Sequence, residues 1–359
     1  MYGRASMESR KVQKVGASTL SISLPKDWVE RWSVHKGDVL LIETTKDGSL
    51  RLTTSKEGAG APRRETEVTV NADLCDEPGL LGRVVVGNYI VGRDLIRIRS
   101  KTRIRSKHLA EVRAAASKLH GLGIMQETPD EIELQCSVDP AKFPIETVMK
   151  RLYTIGATIL REATEALVKG DGALAKDAMG REDEADTMYW LLLRLLLHAQ
   201  LDPVMAERMG IHEQLPIVGN RLIAKSLEGV ADYGETMAKH ALGIVELGQE
   251  VDADMLQSFR AIGEASGRVV ADGLASVFTH DIKLANRAIE SGAQCEADAD
   301  KLAEEVTRKV HDPVAVANLR AIAFAMRRVA EHGAEIALIG VNRYLERPSA
   351  ICKPAGSKA

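Results

Sequence analysis

The sequence predicts a multidomain, mainly α protein: an N-terminal β-β-α-β-β module, a small α/β middle module, and a six-helix C-terminal half made of two three-helix bundles. Three observations predict it. A chain of 359 residues exceeds one ordinary core, and an apolar fraction of 45% is too high for a disordered chain. Phe, Trp and Tyr together number only 13, so the cores must be filled by Leu, Ala, Val and Ile, which suits close-packed helices better than a large β-sandwich. Finally, from Ile145 to Leu345 the apolar positions follow a helical period with no convincing strand.

At the front, RKVQKVG and STLSISL alternate as short strands around a Gly16 turn, and Pro25 opens a helix where no N–H donor is needed. Gly37-Asp38 ends that helix. VLLIET and SLRLTT follow as strands, with Lys46-Asp47-Gly48 as the hairpin signal between them. This β-β-α-β-β unit spans residues 7–57 and is too small to bury much surface alone, so it calls for a second copy. SKEGAGAPRRE reads as a linker.

The middle module, residues 64–141, reads as a strand (Glu67 to Asp73), a helix (Pro78 to Val91), a strand (Leu95 to Arg99), a helix (Ser106 to His120) and a hairpin turning at Pro129-Asp130. Six helices are then predicted over 145–169, 172–200, 215–248, 252–280, 282–310 and 313–345, with Pro203, Pro216 and Pro313 at breaks. They repeat. Residues 170–190 and 280–302 share an Asp, a Leu-Ala step and an acidic E-x-x-x-D, which divides the half into bundles 145–248 and 252–346, with 347–359 as a flexible tail.

The net charge of −3 hides a split: residues 1–142 carry 23 Lys and Arg against 19 acids, while 143–352 carry 23 against 32. A basic front and an acidic back suggest two tasks. Four scattered cysteines, Cys75, Cys136, Cys295 and Cys352, contain no C-x-x-C pair, so a local zinc site and a disulfide framework are not expected, and a reducing cytoplasm is. The N-terminus lacks a signal-peptide pattern, and the strongest apolar run, Tyr189 to Leu197, is interrupted by Arg194, so no membrane insertion is expected.

Glu182-x-x-x-Asp186 and Glu228-x-x-x-Asp232 each place two carboxylates on one helix face, where like charges destabilise the helix by ~0.2–0.5 kcal/mol per pair. Two such pairs on facing helices would form the donor set of an all-oxygen cation site; the competing expectation is a solvated acidic face. Glu296, Asp300 and Glu331 form the second set, but Arg327 stands where the first bundle has an acid, and its guanidinium can neutralise the carboxylates internally. His332 is a neighbouring candidate ligand.

Arg97, Arg99, Lys101, Arg103, Arg105 and Lys107 occupy alternate positions in a stretch without acids. If extended, they form one cationic face able to contact phosphate or nucleic acid; the competing expectation is a solvated edge strand. A further basic patch is Arg10, Lys11 and Lys14 on the first hairpin. Signatures of phosphate-loop, dinucleotide, hydrolase and zinc-protease enzymes are absent, so no catalytic residues and no enzyme activity are expected.

RKVQKVGASTLSISLPKDWVERWSVHKGDVLLIE resembles the AbrB/MazE-type swapped-hairpin DNA-binding domain. The resemblance implies an intertwined homodimer meeting double-stranded DNA through Arg10, Lys11, Lys14 and Ser18. Asp27 and Trp28 stand where many such domains carry arginines. The helical half resembles PhoU, the phosphate-uptake regulator: REDEADTMY and SLEGVADYG match its paired acidic motifs, and CEADADKL matches in the second bundle, whereas RRVAEHG departs through Arg327. This implies a divalent or trivalent metal ion (Fe, Mg, Mn or Zn) at Glu182, Asp186, Glu228 and Asp232, and at Glu296 and Asp300. The implied function is a cytoplasmic regulator of phosphate uptake and homeostasis that binds DNA and a phosphate transporter or signalling protein. The alternative is an adaptor that uses the front module only to dimerise and docks on a transporter or sensor kinase.

Overall fold

The chain divides between Thr66 and Glu67 into two units. The structure, a computed structural model, describes residues 8–16, 18–44, 48–54, 66–349 and 351–353.

In the first unit β1 (Gln13–Val15) and β2 (Thr19–Ser21) pair antiparallel around Gly16, whose φ of 72° suits glycine. Helix α1 (Lys26–Arg31) follows Pro25, and β3 (Leu40–Thr44) pairs with β4 (Leu50–Thr54). The order is the expected one. Lys46 and Asp47 of the expected hairpin turn and linker residues 55–65 lie outside the described residues. None of the described residues of this unit is buried; Leu20 is 68% exposed and Leu50 67%.

In the second unit β5 (Glu67–Asn71), α2 (Leu80–Ile90), β6 (Leu95–Arg99), α3 (Ser106–Ser117), β7 (Leu122–Glu127) and β8 (Glu131–Cys136) form a four-stranded sheet of order β5-β6-β8-β7. β5 and β6 are parallel; β8 runs antiparallel to β6 and β7. Ile96, Ile98, Ile132 and Leu134 alternate onto the core face, where they join Leu81, Val85 and Tyr89 of α2 and Val112 of α3. The strand carrying the arginines is therefore an inner strand, which corrects the edge-strand expectation.

The helical half contains α4 (Ile145–Lys169), α5 (Gly172–Gly180), α6 (Glu182–Leu201), α7 (Pro203–Arg208), α8 (Pro216–Leu247), α9 (Ala253–Thr279), α10 (Ile282–Lys309) and α11 (Pro313–Leu345). The expected second helix is two. The break falls at Arg181, which follows Gly180 and is both the C-cap of α5 and the N-cap of α6; its guanidinium bonds Glu162 of α4 at 2.8 and 3.1 Å. Pro203, read only as a breaker, instead starts the short α7 behind an Asp202 cap. Asp171, Asp252, Asp281 and Asp312 cap α5, α9, α10 and α11 by accepting backbone N–H bonds, worth ~1 kcal/mol each. Gly170 and His280, the residues before two of these caps, share the left-handed conformation, so the internal repeat holds at backbone level. The acidic pairs do not keep that register: Glu182 stands eleven residues after Asp171 and Glu296 fifteen after Asp281, about one helical turn further along.

Arg194 joins the middle layer to the bundle. Fully buried on α6, it donates to the carbonyls of Tyr89 (2.6 Å) and Arg93 (2.9 Å) and pairs with Asp94, with its guanidinium over the Tyr89 ring. The residue that interrupts the strongest apolar run thus bonds the Tyr89 carbonyl near the end of α2 and the Arg93 carbonyl just beyond it.

Candidate functional site

Helices α6 and α8 pack against each other and against α4. Glu182 and Asp186 project from the first turns of α6, and Glu228, Asp232 and Glu235 from the middle of α8. Glu228 is only 8% exposed. Burial first, and then the charge of Asp186, pushes the Glu182 carboxyl up to about 7 against the opposing field of Lys118; Glu235 adds to the push. Burial, followed by Glu228, likewise pushes Asp232 up to about 6, with Lys225 opposing and Asp186 and Glu235 adding. Charge on α8 thus acts on Glu182, through Glu235, and charge on α6 acts on Asp232, through Asp186.

Two cations moderate the cluster. Lys225 on α8 pairs with Glu228 one turn on. Lys118, at the C-cap of α3 in the middle layer, reaches Asp183 at 3.1 Å and Asp186 at 3.3 Å. Neither lysine was singled out from sequence, nor was Glu235. Glu235 follows Asp232 at i+3 on the same face, a spacing that reading only E-x-x-x-D pairs overlooks; Lys118 has no local signal, because its contact spans more than sixty residues of chain.

An all-carboxylate donor set fits a hard cation, whose charge would relieve the repulsion that raises Glu182 and Asp232. Glu182, Asp186, Glu228 and Asp232 are the residues that would hold it. Among the described residues, however, no three such side chains converge as ligands on one point. Ligation would need carboxylate rotamers to turn inward and the two lysines to yield.

In the second bundle Arg327 lies between the acids: Nη2 is 3.2 Å from Glu296, and Nε is 3.5 Å from Asp300. Glu331 pairs with Arg328 on its own helix. His332 hydrogen-bonds Glu335 at 2.9 Å, and Glu335 also accepts from Ser226 at 2.9 Å. The positive charge that a metal would bring to Glu296 and Asp300 is thus already supplied by a guanidinium, and His332 is engaged elsewhere.

The alternating basic residues of the middle module do not form one cationic face. Arg97 bonds Glu133 (2.9 Å) and Glu67 (3.1 Å) on the two flanking strands, and Arg99 pairs with Glu131 at 3.2 Å. Arg105 pairs with Asp76, Lys107 bonds the Asp76 carbonyl, and the Lys101 N–H donates to Asp73. Strand β6 ends at Arg99 and α3 begins at Ser106, so Lys101 and Arg103 lie in the intervening turn. Sheet register supplies the missing acids from distant sequence. In the first unit Lys14 lies in β1, Ser18 lies in the turn, and Arg10 and Lys11 precede the strand, with Arg10 paired to Glu8. All four are exposed.

The second unit thus belongs to the class of tandem three-helix-bundle folds, here with an α/β layer packed on one bundle. Residues 149–241 match the PhoU domain family, and residues 13–59 match MazE, the antidote-toxin recognition bacterial antitoxin family. The crystal structure of PhoU from Pseudomonas aeruginosa superposes with a TM-score of 0.50 at 18% identity, over 56% of this chain and 96% of that one. PhoU from Streptococcus pneumoniae, solved as a phosphate transport system regulatory protein, gives 0.47 at 17%, over 56% and 94%. No curated protein matches the chain. The chain joins a MazE-type module to a PhoU-type helical domain, the fusion its sequence resembles. Among the described residues no helix is long and apolar enough to cross a membrane.

Proposed function

We propose that this protein is a non-enzymatic regulator of phosphate uptake and phosphate homeostasis, acting as a homodimer whose front module binds double-stranded DNA and whose first bundle binds a divalent or trivalent metal ion. The observation that carries it is the half-buried acidic cluster between α6 and α8, with Glu228 its one buried member, lying within the segment that matches the PhoU domain. A bound cation would supply positive charge to Glu182, Asp186, Glu228 and Asp232. The chain's own part is to hold these carboxylates partly desolvated between two helices, with Lys118 and Lys225 as resident counter-charges. The homodimer reading is supported by the front module, whose described apolar residues Val12, Val15, Leu20, Ile22, Leu41 and Ile42 are all exposed within one chain.

DNA contact by Arg10, Lys11, Lys14 and Ser18 is tested by gel shift on promoters of phosphate-transport genes. Binding that falls steeply with added salt supports it, since each phosphate contact releases counterions. Absence of any shift at low ionic strength rejects it. The adaptor alternative is favoured by one observation: Leu215 just before α8, Val218 and Leu222 on it, and Leu345 at the end of α11 line one surface and leave it apolar and exposed. That surface suits a phosphate transporter or signalling protein. Substituting Arg10, Lys11 and Lys14 with Ala separates the two readings, because the adaptor keeps its regulation and the DNA-binding regulator loses it.

A further inference from the structure

A groove between α4 and α9, away from the α6–α8 carboxylates, encloses a cavity of about 410 Å³. Its charge is unbalanced. Arg161, Lys169 and Arg260 line it together with Glu165 and Glu264. Lys169 is already bonded to Glu165 at 2.8 Å, and Glu264 lies 3.7 Å from Arg268. Arg161 and Arg260 are left without a carboxylate in ion-pair range among the described residues, and Arg260 is half-buried. Lys169, Arg161 and Arg260 line the same groove as Glu165, and the positive charge of all three holds that carboxyl below the usual carboxylate range, its hydrogen bond from Lys169 foremost.

Small residues open the groove. A Cβ on Gly263 would stand 2.7 Å from the Thr164 hydroxyl, and one on Gly267 3.4 Å from Leu160, so the two helices meet closely where these glycines line the groove. Partial burial of a guanidinium costs solvation that its present surroundings do not return, and a planar fork of donors matches the oxygens of a phosphate group.

We propose that the α4–α9 groove is a binding site for a phosphate group, held by Arg161 and Arg260 with Lys169 in support. The site joins the two bundles, since α4 belongs to the first and α9 to the second. It needs neither the metal nor the DNA reading, and a failure of either leaves it standing. The chemistry is that of a tetrahedral dianion, and its source is either free inorganic phosphate or a phosphomonoester.

The test is calorimetric titration of the full chain at low ionic strength with inorganic phosphate and, separately, with O-phosphoserine. Saturable binding of either that weakens about tenfold or more in the Arg161→Gln/Arg260→Gln variant is the expected result. Phosphate binding without phosphoserine binding assigns the free anion, and the reverse assigns an esterified group. The surface variant Arg151→Gln, outside the groove, should bind as the parent does, and melting curves of both variants should overlay the parent's. Absence of saturable binding of both compounds up to about 10 mM, or affinity unchanged in the double variant, overturns the proposal.

Discussion

The Lys118 ammonium lies 3.3 Å from the carboxylate of Asp186, so the middle α/β layer contributes a cation to the acidic face of the first bundle. Lys118 is about half exposed, and such a pair is worth ~0.2–1 kcal/mol. Removing it leaves the carboxylates less compensated and removes a competitor of any incoming cation. Lys118→Ala should therefore lower the melting temperature slightly without metal and raise cation affinity by roughly 1.5- to 5-fold. Paired melting and metal-titration curves check both directions.

The raised acids make stability depend on pH. Glu182 at about 7 and Asp232 at about 6 bind protons in the folded state that the unfolded chain has released near pH 4. With more protons on the native state, stability falls as pH rises from about 4.5 through 7 and levels off above that window. The groups facing the pair are Asp183, Asp186 and Lys118 on one side and Lys225, Glu228 and Glu235 on the other. Thermal melts between pH 5 and pH 8 should show the decline, and Glu182→Gln should flatten it.

Arg194 anchors the middle layer. Its loss leaves the Tyr89 carbonyl of α2, the Arg93 carbonyl just beyond that helix and Asp94 without this buried partner, so Arg194→Met should cost about 3–5 kcal/mol in urea unfolding. A cost below 1 kcal/mol would show that the layer is held by apolar packing alone.

Helices α9 and α11 approach through glycine. A Cβ at Gly273 would stand 2.5 Å from the Gly333 carbonyl oxygen, and backbone cannot turn away as a side chain can. Gly273→Ala should destabilise by about 1–3 kcal/mol, whereas Gly180→Ala, with open space around it, should not, as denaturant midpoints will show.

The order of elements was legible because apolar periodicity is local: α4, α8, α9, α10 and α11 fall within a residue or so of the ranges read from sequence. The carboxylates on α6 and α8 were legible through i,i+4 spacing, and the guanidinium of Arg327 through its place in the repeat. What escaped was set by long-range pairing. The β6 arginines look like a phosphate-tracking stripe until the register brings Glu67, Glu131 and Glu133 beside them.

The most direct test of the central claim is metal titration of the full chain, followed by elemental analysis, on the parent and on the Glu182→Gln and Asp232→Asn variants. The parent should take up a divalent or trivalent cation stoichiometrically and both variants should lose that uptake, while Glu296→Gln in the Arg327-neutralised bundle leaves it unchanged. Failure of the parent to bind any of Fe, Mg, Mn or Zn, or uptake undiminished in both first-bundle variants, would rule out a metal site between α6 and α8.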